Sequence, residues 1–256
     1  MARLNVSTSF VLCIQGHLFS IRLFMEIILG LGRMIVMELK SKEDILEMLE
    51  GYEKIVLFGD SGCAQMCDVG GILQLEDMTD FLADHGKDVL GYVFVEGGLC
   101  DEFATKQELE KHKNMLEEAD AFLVQACGVA TQNLTEMVPE KISLPAVDSD
   151  FLGTMPERFH HDERCSMCGE CVLDLTGGIC PITRCAKGLL NGPCGGSMDG
   201  MCERDEDTEC AWQLIYDRLR EIDKLDNIKR IWEMKDWSKK HGPKTIVHEA
   251  KDALFQ

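Results

Sequence analysis

Apolar residues along the chain alternate between short continuous runs and helical spacings. Lys54-Ile-Val-Leu-Phe58 reads as a buried strand closed by Gly59, and Val89–Val95 and Ala121–Val124 repeat the signal. Ser41 to Leu49 puts Ile45, Met48 and Leu49 on one helical face, with Ser41 as N-cap and Asp44 three residues on. Helical spacing through Met66, Val69, Leu73 and Leu75 is broken at Gly70-Gly71, and further helices are predicted over 77–85, 106–118 and 128–138. The order β-α-β-α-β-α predicts the α/β class, with a small parallel, Rossmann-like, doubly wound sheet.

After residue 160 the periodicity disappears, and Gly, Pro and Cys punctuate the chain every few residues. It returns from Trp212 to Trp237, where Ile215, Leu219, Ile222, Leu225, Ile228 and Ile231-Trp232 predict an amphipathic C-terminal helix. Such a stripe either packs against the α/β domain or docks a partner subunit. The resulting division is an N-terminal extension at 1–33, an α/β domain at 34–160, a loop-rich cysteine module at 161–210 and a C-terminal helix and tail at 211–256. Phe10 to Leu31 is apolar, but Arg22 and Glu26 count against a membrane span and no small-residue cleavage site follows. Regular patterning begins at Met34 or Met37, so residues 1–33 read as a start-site artefact or nonessential extension, the alternative being a membrane-touching amphipathic helix.

Charge narrows the partners. Among 256 residues, 26 Lys and Arg face 45 Asp and Glu, a formal charge of −19. That excess argues against nucleic acid and against anionic membranes. No dinucleotide or nucleotide fingerprint is present: Gly59-x-x-Gly62 lacks the required spacing, and Gly30-Leu-Gly32 lacks a third glycine. No nucleophile triad or carboxylate pair stands out; His160-His161 and Glu117-Glu118 read as solvated surface. The acidic run from Glu203 to Glu209 reads the same way, or steers a cationic electron-transfer partner.

The candidate chemistry lies in 13 cysteines, eight of them between Cys165 and Cys210. A disulfide framework suits small secreted domains, whereas this chain is larger and leaves an odd cysteine over. Thiols spaced as Cys165-x-x-Cys168-x-x-Cys171 are too close to staple distant segments and suit one metal centre. Cys180-Pro181 follows, then Cys185, Cys194, Cys202 and Cys210, enough for two four-thiolate sites of iron–sulfur or zinc type. In the first half Cys63 and Cys67 follow the first strand, Cys100 lies beyond the second and Cys127 follows the third. These are the turns where α/β sheets collect ligands. The competing reading is four small buried hydrophobes, and the role of Cys100 stays open. The density of thiols favours a reducing, cytoplasmic setting.

The stretch Cys168-Gly-Glu-Cys171 through Gly177-Gly-Ile-Cys180-Pro and Asn191-Gly-Pro-Cys194-Gly-Gly to Cys202 and Cys210-Ala-Trp resembles the methylenetetrahydrofolate reductase C-terminal-like domain of MetV-type subunits. Gly62-Cys63-x-x-x-Cys67, Gly70-Gly71 and Ala126-Cys127-Gly-Val extend the resemblance over about residues 34 to 237. It implies a non-flavin subunit, inactive alone, that carries two or more [4Fe–4S] clusters. Such a subunit relays electrons to or from a flavin-containing methylenetetrahydrofolate reductase subunit in one-carbon metabolism, in some cases beside further electron-transfer proteins. The implied ligands are Cys63, Cys67 and Cys127 together with Cys165, Cys168, Cys171, Cys180, Cys185, Cys194, Cys202 and Cys210. A working division puts Cys165, Cys168 and Cys171 with one later cysteine, and pairing across the two halves is equally allowed. The alternatives are a structural zinc scaffold of the same type of complex and an enzyme in its own right.

Overall fold

The structure, a computed structural model, describes residues 34–240 and 242–246. The expectation for residues 1–33 therefore lies outside the described residues. The chain divides into two compact units at Asp162 and Glu163.

The first unit opens with β1 (Met34–Leu39) and α1 (Lys42–Met48), whose N-terminus is capped by the Ser41 hydroxyl accepting from the Asp44 N–H at 3.1 Å. Then come β2 (Lys54–Asp60), the single turn α2 (Cys63–Met66), α3 (Ile72–Asp84), β3 (Asp88–Val95), α4 (Glu102–Lys111), α5 (Lys113–Glu118), β4 (Ala121–Val124), α6 (Gly128–Met137) and β5 (Ile142–Pro145). Strands pair in the order β3-β2-β4-β5, all parallel. β2 and β4 are buried on both faces, which is why they read as unbroken apolar runs. The period of two divides them between two cores. Val56, Phe58, Phe122 and Val124 face one side, and Ile55, Leu57, Ala121 and Leu123 the other. Phe58 and Phe122 meet at 5.0 Å between ring centroids in a tilted pair.

A second sheet, β1-β6-β7, was not expected from the sequence. β6 (Val147–Glu157) runs antiparallel to β1, and β7 (His160–Cys165) follows it. The strand β1 carries too short a pattern to declare itself, and its partner lies more than a hundred residues on, pairing Met34 with Gly153. Two helix boundaries also differ. α3 starts at Ile72 rather than Asp77, directly after Gly71. The helix expected over 106–118 begins at Glu102, because Asp101 caps it by accepting from Phe103 N and Ala104 N, and it breaks at His112.

The second unit is built from turns, with α7 (Pro181–Arg184), β8 (Met201–Cys202), β9 (Asp205–Glu209) and α8 (Ala211–Glu221). Its buried core is Trp212, Ile215, Leu219 and Trp232, with half-buried Leu175, Ile179, Leu189 and Leu190 against it. The helix expected from Trp212 to Trp237 ends at Glu221. Asp223 takes a left-handed φ of 54°, and the Lys224 N–H reaches back to the Leu219 carbonyl at 2.8 Å. The chain then returns through a 3-10 turn at Leu225–Lys229 and lays Trp232 on Trp212, 5.8 Å between centroids. The stripe thus closes a small core of its own unit. Asn191 fastens that return: its side chain accepts from Trp232 N at 2.7 Å and donates to Trp232 O at 3.1 Å. Among the described residues no helix is long and apolar enough to cross a membrane.

Candidate metal centres

The parallel sheet presents its loops in the same order as its strands. Since β2 lies between β3 and β4, the loop after β2 is flanked by those after its neighbours. Cys63 opens α2 and Cys67 caps its C-terminus, Cys100 precedes the α4 cap, and Cys127 stands at the N-cap of α6. Backbone packs directly on backbone between these loops. A Cβ at Gly62 would lie 2.2 Å from the Gly97 carbonyl oxygen, and one at Gly70 would lie 1.8 Å from that of Gln125. Glycine at both positions lets the cysteine loops close to contact distance.

Asp60, buried at the end of β2, ties the loops together. Its Oδ1 accepts from the N–H groups of Gly62 at 3.0 Å and Ala64 at 3.3 Å, and its Oδ2 from that of Leu99 at 3.2 Å. Burial raises its pKa above the ordinary aspartate value, with the three backbone bonds opposing. The sequence marks Gly59-Asp-Ser-Gly-Cys63 as a tight turn, but not the part Asp60 plays in holding the Leu99 loop.

The strand β1 reads both sulfurs of α2. The Ile35 N–H points at Cys63 Sγ at 3.4 Å, and its carbonyl lies 3.6 Å from Cys67 Sγ as acceptor. Burial pushes the thiols of Cys63, Cys67 and Cys100 up. Negative charge close by adds to it: Cys127 and Cys100 act on Cys63, Cys63 acts on Cys67, Cys127 acts on Cys100, and Asp60 acts on all three. Raised pKa values of this origin are those of half-buried thiols that stay in the neutral form more readily than a free cysteine.

In the second unit Cys165, Cys168 and Cys171 lie along one loop whose turns place Met167 and Gly169 at φ of 51° and 80°. Thr183 Oγ1 donates to the Arg164 carbonyl at 3.2 Å, which sets α7, and Cys180 at its N-cap, beside the start of that loop. Backbone N–H groups of Met167 and Gly196 point at Cys165 Sγ and Cys194 Sγ, at 3.4 and 3.5 Å. Burial pushes the Cys168 thiol up, but the backbone bond at Glu170 and the nearby Lys235 ammonium outweigh it, and the pKa falls below the usual value. Lys235 is itself buried and donates to the Glu170 carbonyl. Cys194 is likewise lowered, first by the Gly196 N–H, then by Lys187.

The remaining four cysteines border a common space. Cys185, Cys194, Cys202 and Cys210 line one enclosed cavity of about 20 Å³, with Arg184, Lys187 and Glu203 at its wall. A space of that size takes one atom-sized occupant. Trp212 closes it, its indole N–H bonded to Leu189 O at 2.9 Å. The Cys210 N–H donates to Gly200 O at 2.7 Å and Lys187 pairs with Glu203, fixing the Cys202 hairpin against both. Among the described residues no three Cys, His, Asp or Glu side chains converge to a single-ion spacing. The residue types are nevertheless ones a metal group could use: four cysteines bordering one cavity, the Gly196 N–H aimed at Cys194 Sγ, and Lys187 nearby to offset thiolate charge.

This segment has a known relative. Residues 144–238 match the family described as methylene-tetrahydrofolate reductase C terminal. That match is in line with the MetV-type resemblance, and the matched segment carries all eight cysteines of the second unit. The matched segment begins within β5, so most of the parallel sheet, with Cys63, Cys67, Cys100 and Cys127, precedes it. No curated protein and no solved structure matches the chain.

One sequence expectation is corrected nearby. His161 is not fully solvated surface. Its Nε2 is buried without a hydrogen-bond partner among the described residues, and the side chain lines a cavity of about 490 Å³ that Cys67 also borders. The acidic run from Glu203 to Glu209 is, apart from half-buried Thr208, exposed along β9, as expected.

Proposed function

We propose that the chain is the non-flavin, iron–sulfur electron-transfer subunit of a methylenetetrahydrofolate reductase, acting with a flavin-containing subunit in the cytoplasm and inactive alone. The observation that carries this reading is the match of residues 144–238 to the reductase C-terminal family, a segment that holds all eight cysteines of the second unit. Cys185, Cys194, Cys202 and Cys210 line one cavity, which leaves Cys165, Cys168, Cys171 and Cys180 as a second set of four. A [4Fe–4S] cluster, once bound, accepts and releases one electron. The chain supplies the thiolates, the Met167 and Gly196 N–H groups that stabilise charge on sulfur, and Lys235 near Cys168. That role needs no general acid or base on this chain.

A structural zinc is the second reading, for the Cys185, Cys194, Cys202 and Cys210 centre alone. The small cavity favours it, since one ion with four thiolates needs less room than a cluster. The full chain, purified without oxygen, decides between them through iron, sulfide and zinc per chain and the spectrum before and after dithionite. About eight irons or more with equal sulfide, and a broad band near ~400 nm that bleaches, are expected. Zinc alone with no bleaching overturns electron transfer and leaves a scaffold.

A further inference from the structure

Ile231 and Met234 are the most exposed large apolar side chains among the described residues, at 89% and 90%. Ile231 belongs to the apolar stripe read from the sequence, yet it faces outward where Trp232 is buried. Trp237, three residues past Met234, is also exposed. We propose that this face of the second unit docks an acidic protein. The electron-transfer reading above makes that partner an electron carrier, and the name rests on that reading.

The exposed side chains stand on a braced segment. Trp232 and Lys235, next in sequence to Ile231 and Met234, are buried. Asn191 brackets the Trp232 main chain, and the Trp232 indole N–H donates to Asn227 O at 3.0 Å. Glu170, between Cys168 and Cys171, holds the other end. Its carbonyl accepts from Lys235, and its carboxylate accepts from Asp236 N at 2.8 Å and from Lys239 Nζ at 3.1 Å. Ile231 and Met234 are therefore fixed in water on both sides of a buried tryptophan, beside the cysteine loop, rather than carried by a loose tail.

Charge selects the occupant. Residues 224–240 hold six Lys and Arg against three Asp and Glu, the reverse of the chain as a whole. Lys229 and Lys239 pair with Asp226 and Glu170, and Asp236 accepts from Ser238. Lys224, Arg230 and Lys240 have no ion-pair partner among the described residues, and Glu233 is the acid of the segment in the same position. Met, Trp and Arg around an apolar centre are the residues that protein interfaces enrich. An anionic bilayer also suits such a patch, but it repels a chain of formal charge −19. A second copy set patch to patch brings like charges together. A face centred on Ile231, Met234 and Trp237 is small, in the size class of transient electron-transfer encounters.

The test is calorimetric titration of an acidic ferredoxin into the full chain, purified without oxygen. The parent is compared with Ile231→Ser/Met234→Ser, Arg230→Glu and Met198→Ser, the last an exposed apolar residue outside the patch. The expected result is that the parent binds and that both patch variants weaken binding by about 10-fold or more. Raising salt from about 20 to about 500 mM should weaken it as well, and Met198→Ser should leave it unchanged. Should a patch variant fail to fold, hydrogen exchange of the parent decides: protection of 229–240 by ferredoxin supports the surface, and none overturns it. No binding, or equal binding by the double variant, also overturns it. Patch-dependent self-association in sedimentation, or patch-dependent flotation with phosphatidylserine vesicles, overturns it in favour of another occupant. A chain that holds iron and bleaches with dithionite but does not bind ferredoxin keeps the electron-transfer reading and loses this surface. A chain with zinc alone that binds through the patch loses that reading and keeps the acidic partner.

Discussion

The carboxylate of Asp60 accepts the backbone N–H of Leu99 at 3.2 Å, across 39 residues of sequence. The same carboxylate holds the turn that presents Cys63. One buried acid thus sets the spacing of two cysteine loops, and it does so at a cost in desolvation that raises its pKa.

That cost gives a pH signature. Because the folded pKa lies above the ordinary value of 3.8, the folded chain binds the proton more tightly than the unfolded chain. The contribution of Asp60 to stability is complete below 3.8 and declines as pH rises through the folded value. Asp60→Asn abolishes this dependence. Urea unfolding of the metal-free chain from pH 4 to 8 should show the variant gaining on the parent as pH rises. A constant difference would contradict the burial argument. Asp60→Ala, which strands three buried N–H groups, should lose about 2–4 kcal/mol at any pH.

Gly62 and Gly70 make the closest backbone approaches between the cysteine loops. Gly62→Ala and Gly70→Ala force carbonyl oxygens apart and should each cost about 1–3 kcal/mol or more in thermal unfolding. They should also weaken metal retention in the first unit. Gly128→Ala is the control, since its Cβ would meet nothing nearer than Ser149 Oγ at 3.9 Å. Equal tolerance at all three positions would mean that the loops are not in contact.

Asn191 lies in the Asn-Gly-Pro-Cys run that carries part of the family resemblance, yet its side chain serves the fold, bracketing the Trp232 backbone. Asn191→Ala should destabilise the second unit by about 1–3 kcal/mol. Hydrogen exchange should speed up at 189–232 and stay unchanged over β2 and β4.

Lys235 acts on a thiol. In the metal-depleted chain, Lys235→Met should raise the Cys168 pKa and slow its alkylation at pH 7 by about 3–10-fold. Cys165 and Cys171 serve as internal standards, and an unchanged Cys168 rate would show that Glu170 alone sets it.

The parallel sheet was legible because β2 and β4 are buried on both faces, so apolar content alone marks them. The cysteine positions at its edge followed from strand order. Asp60 and Ile35 were not legible as site-builders, for their roles depend on backbone groups at Leu99, Cys63 and Cys67 that no local pattern announces. β1 and β6 were missed for the same reason, being a pair with most of the first unit between them. In the second unit the grouping of Cys185 with Cys194, Cys202 and Cys210 could not be read from spacing. Three wide intervals permit many arrangements, and the choice is made by the Cys202 hairpin and the Trp212 lid.

The contacts of Gly62 with Gly97 and of Gly70 with Gln125 join main chain to main chain, with no side chain between to change rotamer. A ligand frame built this way inherits the stiffness of the sheet behind it. Opening one of these loops must displace its neighbours, so the loops after β2, β3 and β4 should exchange their amide hydrogens together, as one cooperative unit rather than three separate ones.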